Sequence, residues 1–334
     1  MALATQHQSL ETGGNQLMRD LEILHAYYKK WCLKPNPLKS ETGAFHLSNR
    51  LAKEELNVYF GGERIRHNQC PTYLGVMLNR TLSYNQHITK TAQKIKSRNN
   101  ILSKLTRTSW GADGNTLRTA ALALTYSATE YCAPVWYTHT GIHHTYKIDV
   151  QLNEAMRVVT GTLRSTPTVW LPILANIAPP QIRRTAMAKK EWMKASTQDG
   201  LPIQLSINPP PSKRLKSRNP IWMDDELKSE YNMHSKWNEL VANSLGTRNL
   251  NLVADISGAL PGMDLPRYTW SRLNRFRVGH GRCRDMLHKW GIEDSPACDC
   301  GAPRQTMEHI LTECLSWGHP ELILRYFFGN LLDK

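Results

Sequence analysis

A chain of 334 residues with 40% hydrophobic content has the apolar material for two or three globular domains, which excludes wholesale disorder. Its 42 Lys+Arg against 28 Asp+Glu leave a formal charge of +14, a field that favours a polyanionic partner; the plain alternative is a soluble protein that is merely basic. Of 7 cysteines, Cys32, Cys70, Cys132 and Cys283 are scattered singly and three crowd into 298–314, which argues against a disulfide framework and for a reducing compartment.

The N-terminus has no basic region followed by an apolar core, so no signal peptide is read. The longest uncharged stretch, Ser165–Ile182, is interrupted by Pro167, Pro172, Pro179 and Pro180 and makes a poor membrane span. The expectation is a soluble nuclear or cytoplasmic protein, not secreted, with neither a membrane nor a small molecule as partner.

In chain order, residues 9–33 predict an amphipathic helix with Leu17, Leu21, Leu24 and Tyr28 on one face, stopped by Pro35-Asn36-Pro37. Short β signals follow at Thr42–Leu47, Asn57–Phe60 and Glu63–Arg66, with Gly61-Gly62 as a hairpin turn. Thr72–Leu78 is the strongest strand pattern. From about Asn85 the periodicity turns helical, with Ile88, Ala92, Ile95 and Leu102 marking one buried face. Further helices are expected over 114–137, 144–161, 180–194, 223–245 and 268–290. Residues 198–221 read as a linker, where Pro209-Pro210-Pro211 precedes the basic run Lys213–Arg218. That run could bind RNA, act as a nuclear import signal, or be a solvated linker.

Three features carry chemistry. The helix from about Gln86 to Trp110 holds six cations and no acidic residue; Lys90, Lys94 and Arg98 recur at i, i+4, i+8 and form one ridge. A ridge of one sign repels itself and phosphates would relieve that repulsion, whereas the plainer reading is a solvated face. The tail reads Cys298-x-Cys300-x8-His309-x4-Cys314, three thiolates and one imidazole, a closed tetrahedral set of the kind that holds structural zinc. Because His309 and Cys314 are about 140° apart around a helix, the helix carrying His309 must end or distort near Glu313 for both to reach one ion. Finally, Trp222-Met-Asp224-Asp225 imitates an aromatic-x-Asp-Asp turn, but no strand pattern follows it. Its carboxylates suit the first turn of a helix. His139, His143 and His144, near Tyr146, have no further ligand at a characteristic spacing and read as a polar loop.

Two segments together resemble the reverse transcriptases of jockey-like non-LTR retrotransposons (LINE elements). The first is Trp31-Cys-Leu-Lys-Pro-Asn-Pro-Leu-Lys-Ser-Glu41 with Phe45 and Tyr73-Leu-Gly-Val-Met-Leu78; the second is Tyr131-Cys-Ala-Pro-Val-Trp136 with Gly279-His-Gly-Arg282 and the cysteine–histidine tail. The ordered set spans essentially the whole chain. The resemblance implies a predominantly α-helical α+β chain: a palm remnant with a small antiparallel sheet (1–84), a helical thumb (85–197), the basic linker (198–221), and a helical C-terminal region with a zinc-knuckle-like motif (222–334).

It further implies that Tyr73, Leu74 and Gly75 form a primer-grip hairpin, where a glycine admits a nucleic-acid backbone, though an ordinary buried strand fits the same residues. Lys39 matches a lysine near the incoming nucleotide's phosphates, or is a solvated turn lysine, the preferred reading where the rest of the palm is missing. The family holds two magnesium ions on palm aspartates, and Met1–Glu11 resembles the stretch just after its Tyr-x-Asp-Asp turn. The expectation is therefore a truncated, catalytically inactive fragment of an RNA-directed DNA polymerase, without the magnesium site but retaining contacts to RNA or DNA. A domesticated nucleic-acid-binding module, or an incomplete reading of an intact active element, are the alternatives.

Overall fold

The computed structural model describes residues 2–107, 110–138, 140–204, 231–245, 258–314 and 316. Lys213–Arg218 and Asp224-Asp225, singled out above, lie outside these residues, as does His139. The described residues are mainly helical with a few very short strands, an α+β arrangement. No helix among them is long and apolar enough to cross a membrane. The chain divides into two compact units: Met1–Lys90, Pro134–Thr145 and Lys194–Asp225 form one, and Thr91–Ala133, Tyr146–Met193 and Glu226–Lys334 the other.

In the first unit, α1 (Leu10–Lys30) starts where Ser9 accepts a hydrogen bond from the Thr12 N–H, with Glu11 in the first turn and Lys29 and Lys30 in the last, a charge order that suits the helix dipole. Cys32, at φ 52, ends it, its N–H donating to Lys29 and the Leu33 N–H to Tyr28. The face formed by Leu10, Met18, Leu21, Leu24 and Tyr28 packs on Leu56, Val58, Phe60 and Ile65, so Met18 stands in this cluster where Leu17 was expected. Tyr28 meets Phe60 edge-on with ring centroids 6.1 Å apart.

The strands are β1 (Glu41–Thr42), β2 (Tyr59–Phe60), β3 (Glu63–Arg64), β4 (Arg66–His67), β5 (Thr72–Tyr73) and β6 (Val76–Met77). They form three separate pairings among the described residues, where one small antiparallel sheet was expected. The β2–β3 and β5–β6 pairs are antiparallel, while β1 pairs parallel with β4. The β1 strand stops at Gly43, where a Cβ would stand 2.9 Å from the Pro71 ring. Beyond it, Arg80 and not a neighbouring strand holds the backbone, donating to the carbonyls of His46 and Ser48. The continuous strand expected at 72–78 is folded in two: Leu74 (φ 46) and Gly75 (φ 81) make a two-residue turn, as Gly61 (φ 60) and Gly62 (φ 89) do between β2 and β3. Turns with two positive φ angles match the right-handed twist of a hairpin.

The remaining helices are α2 (Asn85–Lys104), α3 (Gly114–Ala121), α4 (Ser127–Glu130), α5 (Ala133–Trp136), α6 (Ile142–Thr160), α7 (Trp170–Ala175), α8 (Pro180–Thr197), α9 (Met233–Leu245), α10 (Arg267–Arg277), α11 (Arg284–Lys289) and α12 (Met307–Thr312). The single helix expected over 114–137 is divided by a π-helical turn at Leu122–Tyr126 and by Cys132 at φ 51. His143 and His144 lie in the first turn of α6, not in a loop, their rings 3.8 Å apart.

In the second unit, buried Ile95 and Leu102 of α2, Leu117 of α3, and Ile148, Leu152 and Met156 of α6 supply apolar interior. Asn99 ties these elements: its Nδ2 donates to the Gln151 carbonyl at 2.8 Å and its Oδ1 accepts from Thr125 at 3.2 Å. A second cluster joins Trp170, Ile173 and Leu174 to Trp237 and Val241 of α9 and to Trp270 and Leu273 of α10.

One face of α10 also closes the end of α6. Arg267 donates to the carbonyls of Val158 and Val159, both at 2.7 Å; Trp270 Nε1 also reaches Val159, and Asn274 reaches Thr160 at 2.9 Å. The last carbonyls of a helix have no partner within it, and here side chains three and seven residues beyond Arg267 provide them together with it. The helix expected over 268–290 breaks after Arg277. The N–H of Gly279 (φ 71) donates to Phe276 and that of His280 to Arg275, the paired hydrogen bonds of a helix ended by a left-handed glycine.

Candidate functional site

The tail builds its site from two backbone turns and one short helix. Thr306 caps α12 by accepting from the His309 N–H at 3.1 Å, which sets His309 in the first turn. The helix stops at Thr312, and Glu313 leaves helical geometry at φ −129. That termination, anticipated from the spacing, lets Cys314 fold back, its N–H donating to the His309 carbonyl at 2.8 Å. On the opposite side the Gly301 N–H donates to the Cys298 carbonyl and the Cys298 N–H to Ala302, forming a tight turn that presents both Cys298 and Cys300.

The ligand atoms of Cys298, Cys300, His309 and Cys314 all lie within 4.8 Å of one another. Cys298 Sγ is 3.4 Å from Cys314 Sγ, and Cys300 Sγ is 3.1 Å from His309 Nε2. Sulfur and nitrogen ligands about 2.3 and 2.0 Å from one tetrahedral ion would stand at such separations, so the donor set fits a single cation. Cys298, His309 and Cys314 are buried and Cys300 is exposed.

The surroundings support the ligands. Gln305, 2% exposed, donates from Nε2 to Cys298 Sγ at 3.4 Å while its Oε1 accepts from the Arg284 N–H at 3.0 Å. Glu313 lies 3.3 Å from His309 Nδ1, the carboxylate–histidine arrangement that orients an imidazole toward a metal. The Cys300 N–H holds the Cys298 thiol down to about 6, whereas burial pushes Cys314 up. Glu313 foremost, then Cys298, lifts the His309 imidazole to about 9. The set thus favours a thiolate beside an imidazolium, a charge pattern that a cation would replace. Beneath it, Cys283, Met307 and Ile310 pack together; Cys283 is a buried thiol outside the ligand set. Neither Gln305 nor Glu313 stood out in the sequence, because supporting contacts carry no spacing rule.

The other candidate residues are spread out. Lys39 ends a 3-10 turn at Pro37–Lys39 and is exposed. Tyr73 and Leu74 are 48% and 71% exposed at the β5–β6 turn, so this hairpin tip presents apolar surface to solvent. On α2, Lys90 and Lys94 are exposed, but Arg98 is half-buried and its guanidinium donates to the Leu124 carbonyl in the π turn. Arg98 lies about 80° round the helix from Lys90, toward the buried stripe, whereas Lys104 lies about 40° to the other side. Lys104 is exposed, so the outward ridge consists of Lys90, Lys94 and Lys104.

No family model and no solved structure matches the chain. Among curated proteins, it is 23% identical over 284 residues to the Retrovirus-related Pol polyprotein from type-1 retrotransposable element R1 2 of Nasonia vitripennis, covering 81% of this chain and 64% of that one. It is 23% identical over 334 residues to the corresponding R1 polyprotein of Bradysia coprophila, with 93% and 30% covered. Against the Putative 115 kDa protein in type-1 retrotransposable element R1DM of Drosophila melanogaster it is 23% identical over 317 residues, with 91% and 29% covered. The chain thus spans less than two thirds of each of these three relatives. With such matches running along most of its length, it is a relative of the R1 Pol polyproteins, which supports an origin in a non-LTR retrotransposon.

Proposed function

We propose that this chain is the nucleic-acid-gripping part of a retrotransposon RNA-directed DNA polymerase, with RNA, DNA or their hybrid as its partner. The observation that carries the reading is α2, where Lys90, Lys94 and Lys104 are exposed on a helix without a single acidic residue. The exposed Tyr73–Leu74–Gly75 tip supports it, since a glycine there admits a close backbone and an aromatic ring offers a stacking face. Lys39, exposed on its turn, is a further cation for phosphate. Arg98 is assigned a supporting role, bracing the π turn while adding to the field of the ridge. In this reading the chain binds without polymerising.

Zinc is the ion proposed for Cys298, Cys300, His309 and Cys314. Three thiolates and an imidazole suit it, and four protein ligands leave no position open for water, so it would brace the tail and not catalyse. Cys298 and Cys300 would hold it from the turn, and His309 and Cys314 from the two ends of α12.

The reading is tested by titrating a labelled RNA–DNA hybrid with the full chain at several salt concentrations. Changing Lys90, Lys94 and Lys104 to Gln should flatten the slope of log affinity against log salt by about two to three units. An unchanged slope would leave α2 a solvated face. Primer extension with magnesium or manganese should give no product; extension abolished by changing Asp224 and Asp225 to Asn would overturn the non-catalytic assignment.

A further inference from the structure

A second cationic surface lies where the loop after α6 crosses α10. No Asp or Glu occurs from Ala155 to Lys190 or from Leu265 to Arg284, so both segments meeting here are free of acid. The loop is pinned to the helix at both ends. The Gly161 carbonyl accepts from Arg275 Nε at 3.0 Å, and a Cβ on Gly161 would stand 2.1 Å from Ser271 Oγ, so the backbone lies flush on α10. At the other end Thr166 Oγ1 is 3.3 Å from His280 Nδ1. Arg164 is therefore held between two anchors, beside a helix that carries Arg272 next to Ser271 and leads to Arg282 just past His280.

The charges of this region are not neutralised within it. Arg267 and Arg275 donate to the backbone carbonyls of Val158, Val159 and Gly161 and form no ion pair among the described residues. A carbonyl satisfies a guanidinium's N–H groups but leaves its charge in place. Burial foremost, and then the charge of Arg275, lowers Arg267 to about 10, as expected where positive groups face one another. Outside, Arg164, Arg272 and Arg282 are exposed. The Arg272 guanidinium lies 3.8 Å above the Tyr268 ring, which steadies it without cancelling its charge. Of the carboxylates that follow α10 in the chain, Asp285 pairs with Lys289 and Arg304, and Asp299 with Arg284.

We propose that Arg164, Arg272 and Arg282, backed by Arg267 and Arg275, form a second binding surface for the phosphates of a nucleic-acid strand. Guanidinium groups suit phosphodiester oxygens because their paired N–H donors match the geometry of two oxygens. The surface deepens the nucleic-acid reading above and rests on it. It adds a contact on the loop 161–166 and α10 that is separate from the α2 ridge.

The test uses the full chain and a labelled RNA–DNA hybrid. Phenylglyoxal modification of arginines, located by mass spectrometry, is compared with and without the hybrid under conditions where the complex forms. Arg164, Arg272 and Arg282 should be protected at least several-fold, while Arg64, exposed on β3, should react equally in both. In parallel, changing the three arginines to Gln should lower the salt slope by about two or more units, and changing them to Lys should restore it. If the Gln variant fails to fold, the protection pattern of the unaltered protein decides alone. A complex in which the three remain unprotected overturns this proposal and leaves the wider reading standing. Absence of any complex overturns both.

Discussion

The Glu313 carboxylate lies 3.3 Å from Nδ1 of His309, one helical turn before it, while Nε2 of the same ring stands 3.1 Å from Cys300 Sγ. A carboxylate on Nδ1 keeps a proton there and turns the lone pair of Nε2 toward the sulfurs, so an exposed residue outside the ligand set controls how the histidine meets a cation. Glu313→Gln should weaken zinc binding about 10–100-fold, read by competition with a chromophoric chelator. An unchanged affinity would mean that the carboxylate does not orient the ring.

The same site predicts a dependence on pH. The Cys298 thiol, held down to about 6, contributes its thiolate above the usual thiol range and loses it as pH falls through about 6. The His309 imidazole, lifted to about 9, is the opposite case: what its charge contributes is complete below 6.5 and is lost as pH rises through about 9. A metal needs the neutral ring and the Cys314 thiolate, so binding near neutrality must expel protons. Zinc added at about pH 7.5 in weak buffer should release about two or more protons per chain, seen with an indicator dye. Binding should weaken steadily toward about pH 6. Zinc uptake without acidification would contradict the assigned ligands.

Arg267 closes the end of α6 from a distant part of the chain, with two hydrogen bonds of 2.7 Å. Arg267→Met keeps the bulk but strands the carbonyl of Val158 and leaves that of Val159 only its bond from Trp270 Nε1, which should cost about 1–3 kcal/mol. The urea midpoint should fall with an unchanged slope. A variant as stable as the parent would show that water replaces the guanidinium.

Leu74 holds a left-handed conformation at φ 46 while 71% exposed. Such a conformation costs a residue with a Cβ about 1–2 kcal/mol, and the greater chain entropy of glycine offsets part of the relief. Leu74→Gly should therefore raise stability by up to about 1 kcal/mol while weakening nucleic-acid binding, measured by melting and by titration with the hybrid. Higher stability with undiminished binding would separate the strained turn from any role at the hairpin tip.

The tail's ligand set was legible because it is local: Cys298, Cys300, His309 and Cys314 lie within one short segment, and the rotation of a helix forces a break near Glu313 wherever the segment sits. Hairpin turns at Gly61-Gly62 and the predominance of helix were legible for the same reason, since backbone preference and periodicity act over a few residues. Tertiary structure alone decided that Arg98 turns inward, because its partner is a carbonyl exposed by the π turn at Leu122–Tyr126, which no periodicity in α2 announces. It alone decided that Arg267, Trp270 and Asn274 serve the end of α6, more than a hundred residues away. It also decided that Thr72–Leu78, a run fit for one strand, folds at Leu74-Gly75. In each case the deciding partner is distant in sequence or set by a left-handed backbone, and side-chain pattern along the chain records neither.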